Sequence, residues 1–124
     1  MEILVKPATA QHMSVLRKAV LNAGRELQLT QAQLAQALGM SESSISRMKS
    51  EKYQLSESSK DSEMALMLVK IYRSLDLIFA NSKNQIDWFH SKNSALHGVP
   101  AELILTAEGM VNVASYLDAY RAGI

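Results

Sequence analysis

The sequence predicts an all-α fold in two small units, and three observations carry that prediction. No segment alternates apolar and polar residues with a period of two over a strand's length. Apolar residues recur instead at three-and-four spacing along most of the chain. Helix start and stop signals punctuate the pattern: Thr30, Ser41, Ser82 and Thr106 as N-caps, Gly39 at a helix end, and Pro100 at a helix start.

Taken in order, the first dozen residues hold Pro7 and little periodicity, and read as an arm or short extended piece. A helix is expected over residues 14–27, where Leu16, Ala19, Val20, Ala23 and Leu27 form one apolar face. Residues 30–49, TQAQLAQALGMSESSISRMK, then read as two short helices across a tight turn. Thr30 caps the first, with Gln33 at the position from which its side chain reaches back to the cap amide. Leu34 and Leu38 lie one helical turn apart, and Gly39 follows where the exiting chain needs a positive φ. Ser41 caps the second helix, on which Ile45 and Met48 face inward.

Residues 51–61, EKYQLSESSKD, are polar and serine-rich and read as a connection, which sets the domain division at 1–60 and 61–124. Over residues 62–79, Met64, Leu68, Ile71, Leu75 and Ile78 form a stripe that Ala65, Val69, Tyr72 and Phe79 widen past half the circumference. Such a helix is buried by more than one neighbour. Ser82 with Gln85 starts another helix, with Ile86 and Phe89 inside. Pro100 opens a short helix ending near Leu105, and Thr106 caps a last one carrying Met110, Val113, Ala114 and Leu117.

With 124 residues, the chain buries roughly two thirds of its unfolded surface if compact, enough for a core. It contains no Cys, which excludes disulfides and thiolate metal sites and fits a reducing, cytoplasmic setting. The apolar run near the N-terminus is only three residues long, too short for a signal peptide or a membrane span. His12, His90 and His97 share no ligand spacing with carboxylates, and the serines at 41–46 make no nucleophile elbow. The expectation is a non-enzyme without cofactor or metal.

The outward face of the second short helix is small, polar and basic. A helix-turn-helix places such a face in the DNA major groove, where its exposed residues touch base edges. The DNA-binding residues expected are Gln31, Glu42, Ser43, Ser44, Ser46, Arg47, Lys49 and Lys52. Residues 1–60 carry eight Lys/Arg against five Asp/Glu, a surplus of three, whereas residues 61–124 carry five against seven, a deficit of two. A surplus that small meets few phosphates per copy, so two or more copies are expected to add their contacts on operator DNA.

Residue by residue, the first half resembles the Xre or phage-repressor group. Gln31 matches the motif's start, Ala35 the small residue where the helices cross, Gly39 the turn and Ile45 the buried residue of the recognition helix. The second half is similar to the toxin-binding domain of the Xre/MbcA/ParS antitoxins. The matching points are Trp88, Asn93, Ala95, Leu96, Gly98, Pro100 and Leu103, then Thr106, Glu108, Gly109, Tyr116, Leu117, Asp118 and Arg121. Three positions depart: Phe89 for an aliphatic residue, His97 where Gly is common, and Met110 for Leu.

The resemblance implies an antitoxin whose partner is a RES-domain toxin that consumes or transfers parts of NAD. It further implies inhibition by laying the C-terminal domain over the toxin's nucleotide site, and repression of its own operon, as a homodimer or a higher hetero-oligomer with toxin. The toxin-binding residues expected are Asn93, which can also hold a loop, and Tyr120, Arg121, Gly123 and Ile124, taken as a tail after the last helix. Trp88, Leu96, Leu103 and Leu117 are expected in the core, and Gly98 and Gly109 at turns or close approaches. The alternative is a free-standing phage-repressor-like regulator whose second half only oligomerises; SSISRMKSEKY is also similar to phage activator-like repressors.

Overall fold

The computed structural model describes the backbone of residues 2–123 and the side chains of residues 11–123. Among these are seven helices and no strand: α1 (Glu2–Glu26), α2 (Gln31–Leu38), α3 (Glu42–Lys49), α4 (Lys60–Ile78), α5 (Ser82–Phe89), α6 (Pro100–Leu103) and α7 (Ala107–Arg121). The fold is all-α, as the spacing predicts.

The first helix corrects the N-terminal arm: α1 begins at Glu2 rather than near Ser14. Nucleation is the costly step of helix formation, and elongation adds a hydrogen bond with each residue. Once residues 14–26 are docked, the helix extends backwards, and Pro7 forfeits only one bond of the ladder. On the docked part, Val20 and Ala23 are fully buried, as is Leu27 just beyond it.

Between α3 and α4 the connection has no helix but is pinned by its own side chains. Leu55 is buried. Ser59 rather than Ser62 marks the start of α4, its Oγ accepting the Ser62 N–H at 3.3 Å. Tyr53 Oη donates to Asp61 Oδ2 at 2.7 Å, and Ser59 Oγ donates to the other carboxylate oxygen. Burial alone would raise the Asp61 pKa, but the bonds from Ser59, Tyr53 and the Ser62 N–H outweigh it and hold the carboxyl below its ordinary 3.8. The Tyr53 hydroxyl moves up, chiefly through its bond to Asp61 and then through burial.

Helix α4 is the spine. Its wide apolar face packs on α1 and α2 at one side and on α5 and α7 at the other. Met64, Ala65, Leu68, Val69, Ile71 and Leu75 are buried in one core cluster that runs from Val20 in α1 to Leu117 in α7. A further tie crosses the halves. His90 Nε2 lies 2.7 Å from the carbonyl oxygen of Leu27, and since a carbonyl only accepts, that nitrogen carries the proton.

Candidate functional site

The two short helices form as their sequence signals require. Thr30 Oγ1 accepts the Gln33 N–H at 3.1 Å while Gln33 Oε1 accepts the Thr30 N–H at 2.9 Å, a complete capping box. Gly39 ends α2 at φ 71°, a left-handed conformation that a Cβ would strain. Ser41 Oγ then accepts the Ser44 N–H at 3.1 Å and starts α3. Leu34, Ala35 and Leu38 of α2 and Ile45 and Met48 of α3 are buried, so the opposite face of α3 is left outside.

A residue outside the local pattern holds α3 from behind. Arg17 of α1 is only 8% exposed; its Nη1 donates to the Met48 carbonyl at 2.9 Å and its Nη2 to Glu51 Oε1 at 3.2 Å. A cation at the last turn of a helix satisfies free carbonyls and complements the helix dipole. The second helix is thereby fixed at both ends, by Ser41 and by Arg17.

On the outer side, Glu42, Ser43, Ser46, Arg47, Lys49 and Lys52 are exposed, and Ser44 and Gln31 are half-buried. Gln31 sits at the start of α2 and reaches across to α3. Its Nε2 donates to Ser46 Oγ at 2.7 Å and to the Glu42 carbonyl at 3.0 Å, and its Oε1 accepts from Lys49 Nζ at 3.0 Å. Arg47 Nη2 donates to Ser44 Oγ at 3.0 Å, which aligns the guanidinium along the helix. Ser43 Oγ is 3.1 Å from Ser41 Oγ, and Lys52 follows the helix end, its backbone N–H on the Arg47 carbonyl at 2.7 Å. Gln31, Ser46 and Lys49 therefore share one hydrogen-bonded cluster, with Arg47 and Ser44 beside it on α3 and Glu42 joined through its backbone alone. The surface offers hydroxyl and amide donors and the exposed cations Arg47, Lys49 and Lys52 to phosphates and base edges.

In the second half the local signals hold with one shift. Asn81, not Ser82, caps α5, its Oδ1 accepting the Asn84 N–H at 2.9 Å. Moved by one residue, Gln85 leaves the capping-box position and is buried, donating to Asp76 Oδ1 at 3.0 Å. Pro100 opens α6, and Thr106 caps α7 by accepting the Gly109 N–H at 3.1 Å. Gly109 is required by close approach: a Cβ there would lie 1.8 Å from the Leu103 carbonyl oxygen. Asn93 Oδ1 accepts the Leu96 N–H at 3.1 Å, and the Asn93 and Gly98 backbones exchange bonds, so Asn93 holds its loop. His97, where the resemblance has Gly, adopts φ 59°.

Trp88 is not in the core. It is half-buried, while its neighbour Phe89, about 100° round α5, is fully buried in its place. Trp88 instead stacks on Tyr116 with ring centroids 6.3 Å apart. The two rings, with Ile78, Phe79 and Tyr120, border a recess of ≈ 140 Å³. The expected tail is also corrected: α7 runs through Tyr120 and Arg121, and Arg121 Nη1 donates to buried Ser74 Oγ at 3.2 Å. Gly123 lies in the exposed turn after the helix at φ 77°, and Ile124 lies outside the described residues.

Residues 6–70 match the antitoxin Xre-like helix-turn-helix domain, and residues 74–123 match the antitoxin Xre/MbcA/ParS C-terminal toxin-binding domain. The chain belongs to the Xre-like antitoxin family. No curated protein matches it.

The antitoxin thus holds a helix-turn-helix DNA-binding unit and a unit that binds a toxin. The toxin-binding match favours it over a regulator whose second half only oligomerises. Among the described residues, no group of His, Asp or Glu is arranged to hold a metal, and no helix is long and apolar enough to cross a membrane. Residue spacing missed Arg17, His90 and the apolar recess. Leu77, an apolar residue off the α4 stripe, was the available signal for an open depression beside the recess, over Leu77, Ile78, Tyr120 and Arg121, since an apolar residue without a place in the core asks for a partner.

Proposed function

We propose that this antitoxin neutralises a RES-domain, NAD-targeting toxin by covering its active site with the C-terminal residues, and represses its own operon through α3. The division of labour falls at residues 60/61, with DNA reading before it and toxin binding and oligomerisation after it. Gln31, Glu42, Ser43, Ser44, Ser46, Arg47, Lys49 and Lys52 meet the operator, and Asn93, Tyr120, Arg121, Gly123 and Ile124 meet the toxin. The small surplus of positive charge supports a homodimer or a larger complex with toxin on DNA, in which contacts from several copies add.

One observation carries the reading of the C-terminal end. Within the segment matched to toxin binding, α7 finishes with Tyr120 60% exposed beside Arg121, a pair of residue types favoured as interface anchors. The test deletes residues 120–124 and follows NAD consumption by the product of the adjoining gene. Operator binding and helix content should persist while inhibition is lost. Full inhibition by the truncated antitoxin overturns active-site covering, and a partner that leaves NAD untouched overturns the toxin class.

A further inference from the structure

The recess between α4, α5 and α7 is a made surface. Trp88 and Tyr116 stack with their planes within 17°, giving one wall of parallel rings. Ile78 and Phe79, at the end of α4, give the other, and Tyr120 stands at the rim. A second, open depression continues over Leu77, Ile78, Tyr120 and Arg121. Five large apolar residues are exposed among those described, and the two most exposed besides Val15, Leu77 at 69% and Tyr120 at 60%, border this one depression. The recess volume of ≈ 140 Å³ is that of a cavity able to hold one benzene-sized ring.

We propose that this groove is the antitoxin's anchor site for its toxin, and that it takes one aromatic or branched aliphatic side chain of the toxin followed by a hydrogen-bond acceptor. The inference rests on the toxin-binding reading and adds to it a place and a chemistry. Every residue of the groove falls within 74–123, the segment matched to toxin binding, and none comes from the helix-turn-helix match. That placement selects the toxin as occupant over operator DNA or a second DNA-reading unit. The acceptor follows from Arg121. Its guanidinium has five N–H donors, and one nitrogen is committed to Ser74 Oγ, so donors remain at the groove's edge for a carboxylate or carbonyl. Ring walls with an Arg at the margin are the composition that concentrates binding energy at the centre of protein interfaces.

The test uses Leu77→Lys and Tyr120→Lys, both at exposed positions, with Val111→Lys, an exposed apolar residue of α7 outside the groove, as control. Binding of the purified product of the adjoining gene is measured by calorimetry. The chain's single Trp, labelled with 5-fluorotryptophan, reports the groove as one ¹⁹F resonance. The expected result is at least a tenfold weaker Kd for each groove variant, an unchanged Kd for Val111→Lys, and a shift of the Trp88 resonance on adding partner. Wild-type Kd for both groove variants overturns the anchor while leaving toxin binding in place. A Trp88 shift that follows the antitoxin's own concentration without partner overturns it in favour of a second copy. No binding of that partner by the intact antitoxin overturns the toxin reading and the anchor together.

Discussion

Replacing Arg17 by Met keeps an apolar stem of similar length and removes both of its polar contacts. The two are unequal. The bond to the Met48 carbonyl is 2.9 Å long and buried, and hydrogen bonds to charged groups contribute about 1.5–3 kcal/mol. The Glu51 carboxylate is 75% exposed, so its pairing with Arg17 contributes under about 1 kcal/mol and is screened by salt. Arg17→Met should therefore cost about 1.5–3 kcal/mol, and Glu51→Gln under about 0.5 kcal/mol. For a chain of 124 residues the first loss corresponds to a fall in Tm of roughly 5–15 °C. Urea unfolding of both single variants and the double variant, at low and high salt, measures the terms separately. If Glu51→Gln were as damaging as Arg17→Met, or if high salt erased the Arg17→Met loss, the carbonyl would not be the main partner and the reasoning would fail.

Arg47→Ala should weaken operator binding by about 1–3 kcal/mol if the guanidinium reads a guanine, with scrambled DNA much less affected; equal losses on both sequences assign it to phosphate, and no loss on either removes it from the interface. The Asp61 carboxyl, held below 3.8 in the folded protein, contributes stability that is fully present above that pH and is lost as pH falls through the folded-state value. Acid titration of Tm should show Asp61→Asn lacking that part of the decline, and superimposable curves would refute the role. Gly109→Ala should destabilise by more than about 2 kcal/mol, because the Cβ meets backbone rather than a movable side chain; a Tm within 2 °C of the parent, roughly 0.5 kcal/mol, would show that the α6–α7 turn yields freely.

The features legible in the sequence are those whose cause lies within four residues. Thr30 with Gln33, Gly39, Ser41, Pro100 and Thr106 each act on their own helix end, and all stand in the structure where the spacing places them. The apolar width of α4 was equally readable, because a stripe past half the circumference needs partners on both sides. What stayed hidden was long-range. Arg17 meets Met48 across 31 positions, Arg121 meets Ser74 across 47 and His90 meets Leu27 across 63, and no local pattern announces any of them. Trp88 misled for another reason: its size argues for the core, but helical phase gave the inner position to Phe89. For the N-terminal helix, Pro7 spoke for a break while neighbouring turns already supplied a nucleus to extend.

The shared spine has a consequence for how the molecule opens. A chain whose DNA-reading and toxin-binding parts were joined by a loose tether would unfold, and exchange its amide protons, in two independent steps. Here α4 lies under both, and His90 bonds the end of α5 to the end of α1. Opening the core beneath α7 therefore exposes the core beneath α3. Toxin present at a hundred times its Kd adds about 2.7 kcal/mol to the native state by mass action. That increment reaches the backbone amides of α3, slowing their exchange about a hundredfold wherever exchange requires global opening. A ligand bound to one half is thereby felt by core amides of the other.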